Sequence, residues 1–281
     1  MLGDPVDHSL SPVMHNAAFA VLGLPHIYLR YRVTPRALAT ALAEARHLGM
    51  GGFNLTVPLK EAILPMLDAL TPTAARMRAV NTVTFERGRA VGDNTDGRGF
   101  VAALATRVPI ARSPVLMLGA GGSARAVATA LVDAGCPSLT IANRTPDRAE
   151  RLAEDLRPGP ARLDAIPLAD AARHLSPDTA VVVNTTSAGL GAERIRLDPR
   201  RSASACVFVD LVYGPRPTPF LAAARRAGRA TMDGSLMLLH QGALAFTAWT
   251  GRRAPLRAMA AALRTAGLAL PEPFTGGTPA R

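Results

Sequence analysis

The chain has 281 residues, 48% of them hydrophobic and 19% charged, which suits two α/β domains with separate cores and excludes a wholly disordered chain. No uncharged apolar run reaches the roughly 18–20 residues of a membrane span, no basic segment leads into an apolar leader, and Cys136 and Cys206 are too few for a disulfide scaffold or a four-ligand zinc site. The net charge of +11 invites nucleic acid, but the arginines run no longer than pairs (Arg200-Arg201, Arg225-Arg226, Arg252-Arg253) and aromatics make up only 4%, so stacking platforms are missing. A cytoplasmic protein without nucleic-acid or membrane partners is expected.

His8-Ser9-Leu10-Ser11-Pro12 opens the first predicted helix, with Ser11 and Pro12 as its cap pair and Val13, Ala17, Ala20 and Val21 on one face. Two hydroxyls at a helix N-terminus also make a carboxylate site. Capping accounts for Ser11 and leaves Ser9 unexplained.

Lys60 is the only lysine among the 32 basic residues. Where lysine has drifted to arginine throughout, a survivor marks a position that needs a compact ammonium able to give up its proton; chance would also leave one. It lies in Gly52-Phe53-Asn54-Leu55-Thr56-Val57-Pro58-Leu59-Lys60, and Pro58 predicts a helix start there. The helix dipole opposes a cation in a first turn, which favours the neutral amine and proton exchange. Asp96, in Asn94-Thr95-Asp96-Gly97, is either the carboxylate partner of Lys60 or the N-cap of the next helix.

A linker is expected over Pro109–Pro114. Val115-Leu116-Met117-Leu118 then reads as a buried strand, followed at once by Gly119-Ala120-Gly121-Gly122-Ser123-Ala124 and a helix that stops at Gly135. This turn departs from G-x-G-x-x-G, yet its small residues let a pyrophosphate approach the backbone and rest on the helix N-terminus. The next strand, Leu139-Thr140-Ile141-Ala142, ends at Asn143-Arg144-Thr145-Pro146-Asp147-Arg148. NAD would call for an acidic residue at that strand end; Arg144 and Arg148 suit the 2′-phosphate of NADP. Thr145-Pro146 reads as an N-cap with proline in the first helical position. A plain tight turn and two solvated arginines are the bland alternatives. Of the remaining residues, the histidines lack metal-ligand spacing, both cysteines read as buried inert thiols, and Leu236, Met237 and Leu239 read as a core face of a C-terminal helix that begins near Gly234.

In order along the chain, HSLSPVMHN, GGFNLTVPLK, AVNT, GDNTDG, LGAGGSARA, NRT, NTTSAG, DLVYGPRPTPF and LMLLHQGA resemble the shikimate dehydrogenase family. The resemblance implies a two-domain α/β fold: a substrate domain, residues 1–97 with helices 235–281 packing back on it, and a Rossmann-like, doubly wound NADP domain, residues 98–234, with a cleft between them. It implies NADPH-dependent reduction of 3-dehydroshikimate to shikimate, on the route to chorismate and the aromatic amino acids, by a monomer or homodimer. Carried over motif by motif, Lys60 and Asp96 are the catalytic pair. Ser9, Ser11 and Tyr213 take the substrate carboxylate, and Asn54, Thr56, Asn81 and Gln241 line its hydroxyl and keto side. The cofactor residues are the 119–124 turn, Asn143, Arg144, Thr145, Arg148, Thr185, Thr186, Ser187, Gly234 and Met237. A quinate/shikimate enzyme of broader cofactor use and an inactive NADP-binding regulator are the competing readings. Members of the family carry more residues before Gly3-Asp4-Pro5; a first strand reduced to Met1 and Leu2 is expected to cost stability and to leave the site untouched.

Overall fold

The computed structural model describes residues 1–157, 159–186 and 195–270. It divides into two compact units, Met1–Gly99 with Leu238–Arg281, and Phe100–Met237. Both divisions fall inside helices, two or three residues beyond the expected 97/98 and 234/235. No helix among the described residues is long and apolar enough to cross a membrane.

The first unit opens with β1 (Leu2–Gly3), α1 (Ser11–Val21), β2 (Tyr31–Arg32), α2 (Leu38–His47), β3 (Gly52–Asn54), α3 (Leu59–Ala62), β4 (Ala69–Leu70) and α4 (Pro72–Met77). It continues with β5 (Thr82–Glu86), β6 (Arg89–Asp93) and the start of α5 (Asp96–Leu104). β1 and β2 form a parallel pair, and the first strand is Leu2–Gly3 rather than Met1–Leu2. The larger sheet has the order β3-β5-β6-β4 and is mixed. β5 runs antiparallel to both neighbours, and β4 lies parallel to β6. The β5–β6 hairpin turns at Arg87-Gly88, both at positive φ (50° and 79°), the conformation that matches a turn to twisted strands. Leu38, Phe53, Leu55, Leu59, Ile63 and Val83 fill the core beneath, each such side chain contributing about 1.5–3 kcal/mol by leaving water.

α1 turns a different face inward from the expected one. Met14, His15, Ala18 and Phe19 are buried, while Val13 and Val21 stay 42% and 62% exposed. Both faces carry apolar residues, but only the first can stack: His15 lies on Tyr28 with ring centroids 4.4 Å apart, and Phe19 meets Phe246 at 5.3 Å. Burying large rings removes more area from water than burying alanine and valine.

The second unit alternates strand and helix: β7 (Val115–Leu118), α6 (Gly122–Asp133), β8 (Ser138–Asn143), α7 (Pro146–Leu156), β9 (Arg162–Pro167), α8 (Ala171–His174), β10 (Val181–Asn184), β11 (Val207–Asp210), α9 (Pro219–Arg226) and β12 (Ala230–Met232). Its six strands are parallel in the order β12-β11-β10-β7-β8-β9. That is the dinucleotide-binding order 3-2-1-4-5-6 read from the other edge, with its switch point between β7 and β10. β7, β10 and β11 are buried at every position, as strands covered on both faces must be. α10 (Ser235–Thr250) and α11 (Leu256–Thr265) follow, and α11 packs on α1.

Candidate active site

Strand register explains why distant residues meet in the first unit. Asn54 ends β3 opposite Thr82, and Thr82 begins β5 opposite Asp93, the last residue of β6. Three residues later the chain enters α5 at Asp96. The Lys60 carbonyl accepts from the Val80 amide at 2.8 Å, which ties α3 to the same sheet end. Lys60 Nζ and Asp96 Oδ2 are 2.5 Å apart, with their side chains 15% and 9% exposed.

Of the two readings open for Asp96, the ion pair is the one observed. Asn94 Oδ1 takes the Asp96 amide at 3.0 Å and so does the local turn-making, leaving the Asp96 carboxylate for Lys60 and for Asn81 Nδ2 at 2.7 Å. Lys60 is the second residue of a helix only four residues long, and Pro58 precedes that helix instead of starting it. One turn aligns few peptide dipoles, so the expected dipole effect on Lys60 is slight.

Asn54, Asn81 and Gln241 converge here. Asn54 Nδ2 donates to the Asn81 carbonyl and to Thr82 Oγ1, both at 3.0 Å, and Gln241 Oε1 lies 3.4 Å from Asn81 Nδ2. Gly99 brings the helices together: a Cβ there would stand 2.7 Å from the Gln241 amide. Thr56 is half-buried, its amide bonded to the Leu2 carbonyl.

The N-cap place lies one residue before the expected Ser11. Helix α1 begins at Ser11 itself, Leu10 holds the N-cap place, and Ser9 Oγ accepts from the Ser11 amide at 3.3 Å. Ser9 therefore does the capping, and the Ser11 side chain is buried beside Tyr28. Burial raises the pKa of the Tyr28 phenol, and the Ser11 hydroxyl acts the other way. Tyr28 Oη donates to Asn54 Oδ1 at 2.7 Å. Sequence reasoning passed over Tyr28 and Thr82; for Thr82 the signal was its place in the quoted AVNT motif.

In the second unit the glycines of the 119–124 turn do different jobs. Gly119 has φ of 111°, and a Cβ there would stand 2.4 Å from Thr185 Oγ1. Both backbone and packing demand glycine. Gly121 is extended (φ −89°, ψ −172°), and a Cβ there would meet nothing within 4 Å among the described residues. Neither demand applies, so the missing side chain leaves room for something that approaches the backbone. Gly122 opens α6, Ala120 and Ser123 are half-buried, and Ala124 is fully buried against the sheet. These features, with the amides of the α6 N-terminus, fit a dinucleotide pyrophosphate.

At the end of β8, Arg144 and Arg148 are exposed, and Asn143 Nδ2 donates to the Thr145 carbonyl at 2.9 Å. Thr145 holds the N-cap place of α7 with Pro146 after it, but its side chain makes no capping bond. The Thr145 carbonyl takes the Arg148 amide instead, at 3.1 Å. After β10, Thr185 bonds the Leu118 carbonyl through its amide (2.8 Å) and hydroxyl (2.7 Å), and the Thr186 hydroxyl donates to Asn184 Oδ1 at 2.7 Å. Ser187 lies outside the described residues.

Asp210, which sequence reasoning left without a role, is buried at the end of β11. It accepts from Asn184 Nδ2 (3.1 Å), the Val212 amide (3.1 Å) and the Thr218 hydroxyl (2.6 Å). Burial raises its pKa, with these three bonds acting against the rise. It thus anchors the loop that carries half-buried Tyr213. Gly234 belongs to the same structure: a Cβ there would stand 2.1 Å from the Leu211 carbonyl. Met237, half-buried, lies in the first turn of α10.

The family description "Shikimate dehydrogenase substrate binding domain" matches residues 1–83, "Shikimate / quinate 5-dehydrogenase" residues 103–219, and "Shikimate 5'-dehydrogenase C-terminal domain" residues 234–264. The chain belongs to the shikimate dehydrogenase family. It is 50% identical over 275 residues to the shikimate dehydrogenase (NADP(+)) of Moorella thermoacetica, an alignment covering 95% of this chain and 92% of that relative. It is similar in structure to the Thermus thermophilus shikimate 5-dehydrogenase solved in complex with NADP(H) and shikimate. That likeness has 42% identity and a TM-score of 0.82, over 94% of this chain and 97% of that one. A quinate dehydrogenase of Corynebacterium glutamicum in complex with NAD also shares the fold, at 32% identity and a TM-score of 0.84, over 94% of this chain and 97% of that one. Membership in the family makes an oxidoreductase of the shikimate pathway the frame for the site residues.

Proposed function

We propose that this cytoplasmic enzyme reversibly reduces 3-dehydroshikimate to shikimate with NADPH. The observation that carries the reading is the contact of the single lysine, Lys60, with Asp96 amid the amides of Asn54, Asn81 and Gln241. Reduction adds a hydride to the carbonyl carbon and a proton to its oxygen. Lys60 delivers that proton, and Asp96 holds the ammonium in place and compensates its charge. In the reverse direction Lys60 takes the hydroxyl proton as hydride leaves. Ser9, Ser11 and Tyr213 bind the substrate carboxylate. Asn54, Thr56, Asn81 and Gln241 bind its oxygens, which explains why so many neutral donors stand beside one charged pair.

NADPH, when bound, supplies the hydride. The 119–124 turn holds its pyrophosphate, and Asn143, Thr145, Arg144 and Arg148 hold the adenosine end. Thr185, Thr186, Ser187, Gly234 and Met237 serve the nicotinamide side. An arginine where an NAD enzyme places a carboxylate supports NADP over NAD.

The test is nicotinamide absorbance with NADP or NAD and with shikimate or quinate. Shikimate with NADP is expected to give the highest kcat/KM, and Lys60→Ala to abolish turnover while shikimate affinity falls only modestly. Near-normal turnover in Lys60→Ala would move proton transfer elsewhere, and preference for quinate with NAD would overturn the substrate assignment.

A further inference from the structure

Thr82 is fully buried at the first position of β5 and touches the amide side chains of Asn54 and Asn81. The direction of its hydrogen bonds to the two asparagines is fixed by groups that can act in only one sense. Asn54 Nδ2 faces the Asn81 backbone carbonyl (3.0 Å), which only accepts, so Asn54 presents its NH2 to Thr82 Oγ1 (3.0 Å) and its oxygen to Tyr28. Asn81 Oδ1 takes the Thr95 backbone amide (2.8 Å), which only donates, so Asn81 presents its oxygen to Thr82. The Thr82 hydroxyl must then donate to Asn81 Oδ1, at 2.8 Å. Asn81 Nδ2 in turn donates to Asp96 Oδ1 at 2.7 Å, and Asp96 Oδ2 meets Lys60. A single direction of donation runs Tyr28, Asn54, Thr82, Asn81, Asp96, and bonds aligned in this way strengthen one another.

We propose that Thr82 is a positioning residue for proton transfer: its hydroxyl carries the orientation of Asn54 over to Asn81 and so keeps Asp96 aimed at Lys60. This rests on the assignment of Lys60 and Asp96 as the catalytic pair. Remove the hydroxyl, and Asn54 and Asn81 each retain one backbone partner, so the strands stay paired. What is lost is the restraint on how the Asn81 NH2 meets the carboxylate, and small displacements at a reacting centre cost rate more than binding.

Comparison of Thr82→Val, which keeps shape and removes the hydroxyl, with Thr82→Ser, which keeps the hydroxyl, tests the proposal. Thr82→Val is expected to lower kcat about tenfold to a hundredfold, with KM for shikimate and for NADP within about threefold of the parent. Thr82→Ser is expected to recover most of the lost kcat. Should Thr82→Val not fold by circular dichroism, Thr82→Ala replaces it in the same comparison. Unchanged kcat in the hydroxyl-free variant overturns the proposal. So does equal loss in Thr82→Ser, which keeps the hydroxyl, because the effect would then follow any change of the side chain. A raised shikimate KM at parental kcat also overturns it, by making Thr82 a binding residue. Lys60→Ala, measured alongside, tests the catalytic pair separately: if it turns over normally, the pair is wrong whatever Thr82 does.

Discussion

The candidate substrate residues of the first unit and the candidate nucleotide residues of the second are built by opposite means. In the first unit, side chains are buried and committed to one another: Asn81 alone engages Thr82, Thr95 and Asp96, and Asp96 engages Lys60. In the second, backbone is left bare at Gly121, and the guanidiniums stand exposed at Arg144 and Arg148. A buried network fixes reacting atoms; an exposed turn and exposed guanidiniums suit recognition of a ligand. Damage to the first should therefore register in kcat, and damage to the second in KM for the nucleotide.

The sharpest break in that contrast comes from the arginines. Replacing both Arg144 and Arg148 by Ala removes the groups proposed for the 2′-phosphate, and each charge-assisted contact is worth about 1.5–3 kcal/mol. KM for NADP is expected to rise by at least about a hundredfold, with KM for NAD and kcat nearly unchanged. Steady-state kinetics with both nucleotides checks this, and equal losses for NADP and NAD would remove the NADP assignment.

The two glycines separate folding from binding within one turn. Gly119→Ala forces a side chain into φ of 111° and against Thr185 Oγ1, and is expected to cost about 1–3 kcal/mol of stability. Gly121→Ala meets neither obstacle, so its stability should stay within about 0.5 kcal/mol of the parent. Its added methyl occupies space proposed for the pyrophosphate, and KM for NADP should rise about tenfold. Thermal melts and nucleotide kinetics on the pair distinguish the two effects. A Gly121→Ala protein with parental KM would place the pyrophosphate elsewhere.

Local signals made the second unit legible. A buried strand, a small-residue turn and a helix stop at Gly135 are adjacent in sequence, and the six-strand parallel order follows from repeating that unit. In the first unit, Lys60 stood out by rarity and Asp96 by its turn. Tyr28 and Thr82 did not, because their roles depend on Asn54 pairing with Thr82 across strands 28 positions apart in sequence. No local pattern encodes that register. Ser9 and Ser11 exchanged the capping role for a similarly local reason: two hydroxyls spaced by one residue offer the same capping group at either place. The inward face of α1 is not legible locally because apolar residues occur on both sides of the helix, and the aromatic partners that decide between them lie at Tyr28 and Phe246.

The last expected effect concerns stability alone and belongs to the first unit. His15 is wholly buried against Tyr28, Phe246 and Trp249, and its ring nitrogens have no hydrogen-bond partner among the described residues. Burial, and to a smaller degree the N-terminal charge, lowers its pKa from 6.5 to about 3. Between those values the unfolded chain binds a proton that the folded chain refuses, so stability rises with pH through the window. The contribution is complete above pH 6.5 and is lost as the pH falls toward 3. The limiting slope is about 1.4 kcal/mol per pH unit for one such group. His240, lowered to about 4 by burial, adds in the same direction. His15→Leu should therefore flatten the fall of the urea midpoint between about pH 6.5 and 5 without abolishing it. Parallel slopes in parent and variant would mean that His15 can take up a proton in the folded state, and that the aromatic cluster opens more readily than its packing implies.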